Sequence, residues 1–334
     1  MLRIANALVL FIVLGSVGCG GHTPPGGPTP PTTPLQVSCP ADISIRAVPT
    51  PTQTVTFDPP AVTGASGSSQ TSCNPASGSP FPLGATTVTC SASDASSRTA
   101  TCSFRISLAG FSIALTKYEA FGDSVTAGET GRPSLAGLDL IDLPNAYPSQ
   151  LQQRFDAVYP NQGVVVTNRG HSLDTVDQTD AMVRSIAAGD RPEVVLLLSG
   201  YNNLTQACGP NGGATPACRN AIRNVGTDIR SCIRHAREVD AALKFVFVST
   251  LTPPGSSGSN RIDRSAIVQA NDQIRQAVDS ERAVLVDSYT AFLGREADYV
   301  NVDGLHLTPA GYQALAAAFF SAIQSTVEQI PSFR

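Results

Sequence analysis

The chain has 334 residues, 42% of them hydrophobic and 14% charged, with 28 glycines and 25 prolines. This length exceeds the usual size of one domain, so we expect two domains joined by turn-rich segments. The formal net charge of −4 is the opposite of the basic face that nucleic acid requires, which argues against a nucleic acid partner.

Residues 1–19 carry the pattern of a targeting segment. Arg3 gives the segment a positive start, and residues 4–17 form an apolar run that is too short to span a membrane permanently. The run ends in Ser-Val-Gly-Cys at residues 16–19, which resembles a bacterial lipoprotein signal with Cys19 as the lipidated residue. The alternative is an ordinary cleavable signal. The lipoprotein signal predicts a lipid-anchored protein of the bacterial cell envelope. The ordinary cleavable signal predicts a secreted protein.

Residues 20–36 are rich in Gly, Pro and Thr and show no apolar periodicity, which predicts a semi-rigid extended tether. From residue 37 to 108 the pattern changes to period two. Ile43 and Ile45 alternate with polar residues, and so do Phe104 and Ile106, with turn residues between such runs. This pattern predicts a small β-sandwich.

The eight cysteines fit an oxidising compartment. In the predicted sandwich, three cysteines share the parity of inward-facing apolar positions, so we expect buried disulfides. We predict the pairs Cys39–Cys102 and Cys73–Cys90.

In the second half, Cys208 and Cys218 flank a Gly/Pro loop that a disulfide could close. Cys218 and Cys232 lie fourteen residues apart on one predicted helix, about 21 Å along its axis, so they cannot pair with each other. Cys232 shares the phase of the apolar face of that helix, which indicates a buried thiol. With Cys19 lipidated, the odd count leaves at least one thiol without an intrachain partner.

Beyond a connector at residues 109–116, short apolar runs alternate with longer helical patterns. The predicted strands are 117–121, 164–166, 194–198, 245–248 and 284–286. The predicted helices are 147–158, 175–188, 217–239, 262–280 and 309–328, and the last begins with Thr308 as N-cap and Pro309. This alternation predicts an α/β domain of three layers, a parallel sheet with helices on both faces.

Residues 121–128 read Phe-Gly-Asp-Ser-Val-Thr-Ala-Gly, directly after the first predicted strand of this domain. A serine at a strand end that turns into a helix exposes its hydroxyl, as an activated nucleophile requires. Two further blocks also follow strands: Asn-Arg-Gly at 168–170 and Gly-Tyr-Asn-Asn at 200–203. A fourth block, Asp-Gly-Leu-His at 303–306, precedes the last helix. Because parallel strands end at one edge of a sheet, we expect these blocks to meet there.

These four blocks, in this order, resemble the SGNH (GDSL-type) hydrolase family over roughly residues 117–330. The signature residues of the family fall on Ser124, Gly170, Asn202 and His306. The sequence departs from the family pattern at Val125, where the family has leucine, and at Asn203, where it usually has aspartate. The resemblance assigns residues 117–334 to a catalytic domain that hydrolyses esters.

The expected chemistry is acyl transfer by a serine triad. Ser124 attacks, His306 takes and returns the proton, and Asp303 fixes the imidazole tautomer. The amides of Ser124 and Gly170 and the side-chain NH₂ of Asn202 are the expected oxyanion donors. A histidine base predicts activity that rises through about pH 6–7. No G-x-S-x-G pentapeptide occurs, which argues against the α/β-hydrolase alternative.

Residues 37–108 resemble the hyalin-repeat (HYR) module through Cys-Pro-Ala-Asp-Ile at 39–43, Phe-Pro-Leu-Gly at 81–84 and Thr-Val-Thr-Cys at 87–90. The resemblance implies an immunoglobulin-like sandwich that spaces the domain or contacts a surface or another protein.

The sequence therefore predicts an exported serine esterase that acts on small-molecule or carbohydrate esters with short acyl groups. No metal-like spacing of His, Cys and Asp occurs, so neither a metal nor a cofactor is expected. Two alternatives remain open. One is a long-chain lipase or thioesterase of the same family, since residues 129–145 contain Leu135, Leu138, Leu140, Ile141 and Leu143. The other is an inactive adhesion or carbohydrate-binding protein.

Overall fold

The computed structural model describes residues 33–48, 50–133, 139–185, 191–209, 215–239 and 243–329. The predicted signal segment with Cys19, and the tether up to residue 32, lie outside these ranges. Within them, no helix combines the length and the apolar character needed to cross a membrane.

The chain divides into two compact units. One comprises Phe57–Ser77, Val88–Phe104 and the described residues up to Ala41. The other comprises Asp42–Thr56, Gly78–Thr87 and the described residues from Arg105 onward. All predicted site residues belong to the second unit.

The N-terminal region is rich in β-strands, consistent with the predicted small β-sandwich. Its strands are β1 (Gln36–Ser38), β2 (Ile43–Val48), β3 (Thr52–Thr54), β4 (Ala61–Thr63), β5 (Ser69–Asn74), β6 (Pro80–Pro82), β7 (Gly84–Asp94) and β8 (Thr99–Gly110). Strand β5 pairs antiparallel with β7, and β2 pairs in parallel with β8. Burial alternates along β7 and β8, as the period-two pattern predicts for strands with one covered face.

The cysteine predictions are confirmed. Disulfides join Cys39 to Cys102, Cys73 to Cys90 and Cys208 to Cys218. Cys232 is a buried free thiol, and burial raises its pKa.

The α/β region contains the predicted parallel sheet. The strands of this region are β9 (Ser112–Ile113), β10 (Lys117–Gly122), β11 (Glu129–Pro133), β12 (Asp139–Ile141), β13 (Val165–Gly170), β14 (Val194–Leu198), β15 (Phe245–Ser249), β16 (Val284–Val286) and β17 (Glu328–Gln329). Five of them form one parallel sheet in the order β13-β10-β14-β15-β16. All five residues of the central strand β14 are buried, as expected for a strand covered on both faces.

The helices of this region form two packed groups. They are α1 (Ser124–Ala127), α2 (Tyr147–Val158), α3 (Val176–Arg184), α4 (Tyr201–Thr205), α5 (Pro216–Val239), α6 (Arg264–Ser280), α7 (Ser288–Phe292), α8 (Glu296–Tyr299) and α9 (Pro309–Val327). Helix α2 packs against α9, while α5 packs against both α3 and α6. Helix α9 begins as predicted, because the Thr308 hydroxyl accepts the Gly311 amide at 3.1 Å. The region thus has the predicted α/β fold class, a parallel sheet with packed helices.

Several short elements of this region were not predicted, and one pair of them lies next to the serine motif. Strands β11 and β12 pair antiparallel, and β11 starts directly after Gly128, the C-cap of α1. This β11–β12 hairpin therefore contributes regular structure beside the serine.

Candidate active site

The carboxyl end of the sheet brings together the first three sequence blocks. Gly122 of β10 lies opposite Gly170 of β13 on one side and Leu198 of β14 on the other. Ser124 follows β10 as the first residue of α1, and Asn202 follows β14 on α4. The prediction that these blocks meet at one sheet edge is confirmed.

Ser124, His306 and Asp303 form a continuous hydrogen-bonded chain. The Nε2 atom of His306 lies 2.9 Å from Ser124 Oγ, and its Nδ1 atom lies 2.6 Å from Asp303 Oδ2. The three residues are buried, with relative exposures of 4%, 4% and 5% for Ser124, His306 and Asp303. A nucleophile, a base and an orienting carboxylate in this order can carry out acyl transfer.

Asp303 is fixed by several donors. Its Oδ1 accepts the amides of Leu305 at 3.3 Å and His306 at 3.1 Å, and its Oδ2 accepts Asn260 Nδ2 at 3.1 Å. Although burial acts to raise the pKa of Asp303, the hydrogen bond and charge of His306 hold it below its usual value. The carboxylate is therefore ionised and rigidly oriented at neutral pH.

A second carboxylate, which sequence reasoning missed, contacts the same histidine. Glu129 is buried, and its Oε2 lies 3.3 Å from His306 Nε2, the nitrogen that also faces Ser124. The hydroxyl of Ser172 donates to the other carboxylate oxygen, Oε1. The only sequence signal was an acidic residue directly after the serine motif, and acidic residues in turns are common.

The two carboxylates change the protonation of His306. Burial acts to lower the pKa of the imidazole, but the hydrogen bonds and charges of Asp303 and Glu129 raise it to about 9. This value lies above the range of about 6–7 that the sequence predicted from a histidine base alone.

Asp123 shapes the turn that carries the nucleophile. It is the N-cap of α1, and its Oδ1 accepts the Val125 amide at 3.1 Å. Burial raises the pKa of Asp123 to about 7, against the lowering effects of that hydrogen bond and of the His306 charge.

The predicted oxyanion donors surround this turn, but two of them already have partners. The Gly170 amide donates to Asn168 Oδ1 at 2.9 Å, and Asn202 Nδ2 donates to the carbonyl of Asp174 at 2.9 Å. A side-chain amide has two N–H donors, so one hydrogen of Asn202 Nδ2 remains for a ligand. A Cβ on Gly170 would lie 2.2 Å from the Ala127 nitrogen, so glycine permits β13 to approach α1 closely.

Asn203, where the resemblance leads to an aspartate being expected, supplies a side-chain acceptor. Its Oδ1 accepts the Val176 amide, the first of α3, at 3.0 Å. The amide oxygen therefore ties the Asn202 turn to α3 without a charge.

The remaining described histidines lie outside the triad. His171 is largely exposed, and its Nδ1 lies 2.7 Å from Asp174 Oδ1. His235 is partly buried and contacts both oxygens of Asp180, at 2.8 and 2.9 Å, so it links α5 to α3. Within the described ranges, no cluster of three or more His, Cys, Asp or Glu residues is arranged to hold a metal.

Exposed apolar side chains lie on the segments that carry the site. Leu140 and Ile141 of β12 are 46% and 51% exposed, and Leu143 beyond them is 58% exposed. Leu173 and Val302, which flank the Gly170 and Asp303 blocks, are exposed by 75% and 78%. Leu135 and Leu138 of the predicted segment 129–145 lie outside the described residues.

Two family models match the chain. A family model described as "GDSL-like Lipase/Acylhydrolase family" matches residues 120–314, which contain all five predicted site residues. A second model, described as "HYR domain", matches residues 30–108. A search of curated proteins found no match.

Several solved structures are similar to part of the chain. An alpha/beta hydrolase enzyme from the metagenome of Lake Arreo is 21% identical over 64% of this chain and 96% of its own, with a TM-score of 0.49. The acetylxylan esterase of Geobacillus stearothermophilus is 21% identical over 63% of this chain and 95% of its own, with a TM-score of 0.47. The lipase/acylhydrolase of Enterococcus faecalis is 19% identical over 64% and 97%, with a TM-score of 0.48.

Proposed function

Because the chain belongs to the GDSL-like lipase/acylhydrolase family and is a carboxylic ester hydrolase, we propose that it cleaves esters with Ser124, His306 and Asp303. The observation that carries this proposal is the position of His306, which bridges Ser124 Oγ at 2.9 Å and Asp303 Oδ2 at 2.6 Å. This arrangement supports base catalysis by His306, with its tautomer fixed by Asp303.

The reaction proceeds in two acyl-transfer steps. Ser124 Oγ attacks the ester carbonyl carbon while His306 Nε2 accepts the hydroxyl proton. The tetrahedral intermediate then expels the alcohol, which takes that proton and leaves an acyl-serine. Water attacks the acyl-serine and gives its proton to His306. The departing Ser124 Oγ recovers the proton, and the carboxylic acid is released.

The oxyanion of each intermediate requires preorganised donors. Ser124 begins α1, and amides in the first turn of a helix lack an intrahelical acceptor, so its N–H is available. The second hydrogen of Asn202 Nδ2 is another donor. Gly170 completes the hole by sharing its N–H between Asn168 Oδ1 and the oxyanion.

The substrate is an ester of a short acyl group, acetyl to butyryl, on a polar alcohol such as a sugar. One feature supports this choice: Leu140 and Ile141 face solvent instead of closing an apolar cleft. A long acyl tail needs such a cleft or a lid.

The N-terminal regions serve to place the enzyme. Cys19 would carry the lipid anchor, residues 20–36 the tether, and the HYR domain would act as a spacer or contact a surface. Replacement Cys19→Ser should then release the protein from membranes without changing its esterase kinetics. Recovery of that variant in the membrane pellet would contradict lipidation at this residue.

The decisive experiment is labelling with a fluorophosphonate. The native chain should react, and peptide mass spectrometry should locate the label on Ser124. The variant Ser124→Ala should neither label nor hydrolyse p-nitrophenyl acetate, while its circular dichroism spectrum stays unchanged. Absence of labelling in the native protein would instead favour the adhesion or carbohydrate-binding alternative.

A further inference from the structure

The Nε2 atom of His306 has two polar neighbours, although a serine triad needs only one. Ser124 Oγ lies 2.9 Å from it, and Glu129 Oε2 lies 3.3 Å from it. Because Asp303 occupies Nδ1, the imidazole lies between two carboxylates, one at each ring nitrogen.

Glu129 is held in this position by side-chain and backbone contacts. Ser172 donates to its Oε1, which leaves Oε2 directed at the imidazole. Its backbone carbonyl accepts the Tyr312 hydroxyl at 2.6 Å, and Asn301 Nδ2 donates to the next carbonyl, that of Thr130, at 2.7 Å. Anchors from α9 and from the loop before Asp303 thus fix the start of the β11–β12 hairpin against the triad.

We infer that Glu129 is a positioning residue that holds His306 in its protonated form and delays the appearance of the neutral base until alkaline pH. This inference rests on the proposed role of His306. In neutral imidazole, Nε2 presents a lone pair that must accept the Ser124 proton, and a nearby carboxylate oxygen repels that lone pair. In imidazolium, Nε2 carries a hydrogen that the same oxygen can accept. The carboxylate therefore favours the form that cannot act as base.

The charges around His306 support this direction. Asp303 comes from its own loop, Glu129 from β11 and Asp123 from the turn before α1, while Tyr312 approaches from α9 with its hydroxyl on the Glu129 carbonyl. Among the three carboxylates, Asp303 and Glu129 raise the pKa of His306 together. An opposite charge at this distance shifts a pKa by about 1–3 units.

The same contact has a second effect during turnover. His306 becomes imidazolium when it takes the Ser124 proton, so Glu129 also stabilises that charge in the transition state. Removal of Glu129 should therefore produce two opposite changes: a base that becomes available at lower pH, and a weaker base once it is available.

The test combines NMR titration of the histidines with pH profiles of kcat/KM on p-nitrophenyl acetate. In Glu129→Gln, the His306 midpoint and the acid limb of kcat/KM should both move down by about 1–3 pH units. The alkaline plateau should fall several-fold. The variant should therefore be faster than the native enzyme near pH 7 and slower near pH 9. Glu129→Asp retains the charge, so its His306 midpoint should lie between those of the native enzyme and of Glu129→Gln.

Two variants serve as controls. Glu119→Gln removes the charge of another buried glutamate, one paired with Arg169 at 3.2 Å, and should leave the His306 midpoint unchanged. Ser172→Ala keeps Glu129 but removes the hydroxyl that holds Oε1, so it should lower the midpoint by a smaller amount. If Glu129→Gln does not fold, the His306 midpoint of Ser172→Ala serves as the test of Glu129 instead.

The two proposals fail in different ways. An unchanged His306 midpoint in Glu129→Gln or, if that variant is unfolded, in Ser172→Ala would overturn the role of Glu129, even with normal hydrolysis by the native enzyme. A native protein that neither labels at Ser124 nor hydrolyses esters would overturn the proposed function, and the NMR titration would still report the effect of Glu129 on His306.

Discussion

Gly131 of the β11–β12 hairpin approaches the carboxylate of Asp303 so closely that no side chain fits between them. A Cβ on Gly131 would lie 2.5 Å from Asp303 Cγ and 2.5 Å from its Oδ2, the oxygen that His306 contacts. Gly131 also has a φ of 63°, in the left-handed region that favours glycine. The hairpin that carries Glu129 therefore also packs against Asp303, the carboxylate of the predicted triad.

The replacement Gly131→Ala should lower kcat at least tenfold, because the methyl group must displace the Asp303 carboxylate or the hairpin. Gly163→Ala is a matched control. Gly163 has a similar φ of 70°, but nothing lies within 4 Å of its Cβ position, so it introduces only the backbone strain. In thermal denaturation, Gly131→Ala should lose more stability than Gly163→Ala, because it adds the clash with Asp303 to the backbone strain. Equal kcat values for the two variants would show that contact with Asp303 does not matter.

The Asn202 side chain provides a second prediction. Asn202→Ala should lower kcat by about 10²–10³-fold, the usual loss for one oxyanion donor, with little change in KM. Asn203→Asp should retain most activity, since a carboxylate oxygen can still accept the Val176 amide that Asn203 Oδ1 binds. Steady-state kinetics of both variants test this. A nearly neutral Asn202→Ala would mean that the oxyanion is held by backbone amides alone.

Protonation of His306 predicts how stability depends on pH. The pKa in the folded state is raised from 6.5 to about 9, so the contribution to the free energy of unfolding is complete below about pH 6.5. It is lost as the pH rises to about 9, and the full change amounts to about 3 kcal/mol. The raised pKa of Asp123, about 7, changes the free energy of unfolding mainly below pH 7. The interval from pH 7 to 9 therefore reports His306.

Urea denaturation at pH 7, 8 and 9 measures this change. The native protein should lose stability across the interval, and His306→Gln should lose less. Parallel curves for the two proteins would show that His306 does not hold a raised pKa in the folded state.

Much of the fold follows from the sequence because its elements are long and strongly periodic. The pattern at 147–158 predicts α2 with its observed ends, and the apolar run at 194–198 predicts β14. The β11–β12 hairpin has no such pattern. Its first strand reads Glu-Thr-Gly-Arg-Pro, a composition typical of a turn, and only its pairing with β12 makes it a strand.

The candidate site also contains residues that could be predicted from the sequence and residues that could not. Ser124, Asp303 and His306 could be predicted because each lies in a short block whose order resembles a family. Glu129 and Gly131 could not be predicted, since neither lies in such a block and each lies beside a residue more than 170 positions further along the chain. Only the folded hairpin brings the carboxylate to His306 and the glycine to Asp303. The pKa of about 9 for His306 lies above the expected range of about 6–7, which takes no account of Glu129.

Acyl chain length gives the last prediction. With p-nitrophenyl esters, kcat/KM should be highest for acetate or butyrate and should fall for octanoate and palmitate, since Leu140 and Ile141 face solvent and do not line a closed cleft. The double variant Leu140→Ser with Ile141→Ser should leave acetate hydrolysis unchanged. If octanoate or palmitate were the best substrate by tenfold, and the double variant lost that preference, β12 would act as an apolar lid. The chain would then be a long-chain lipase of the same family.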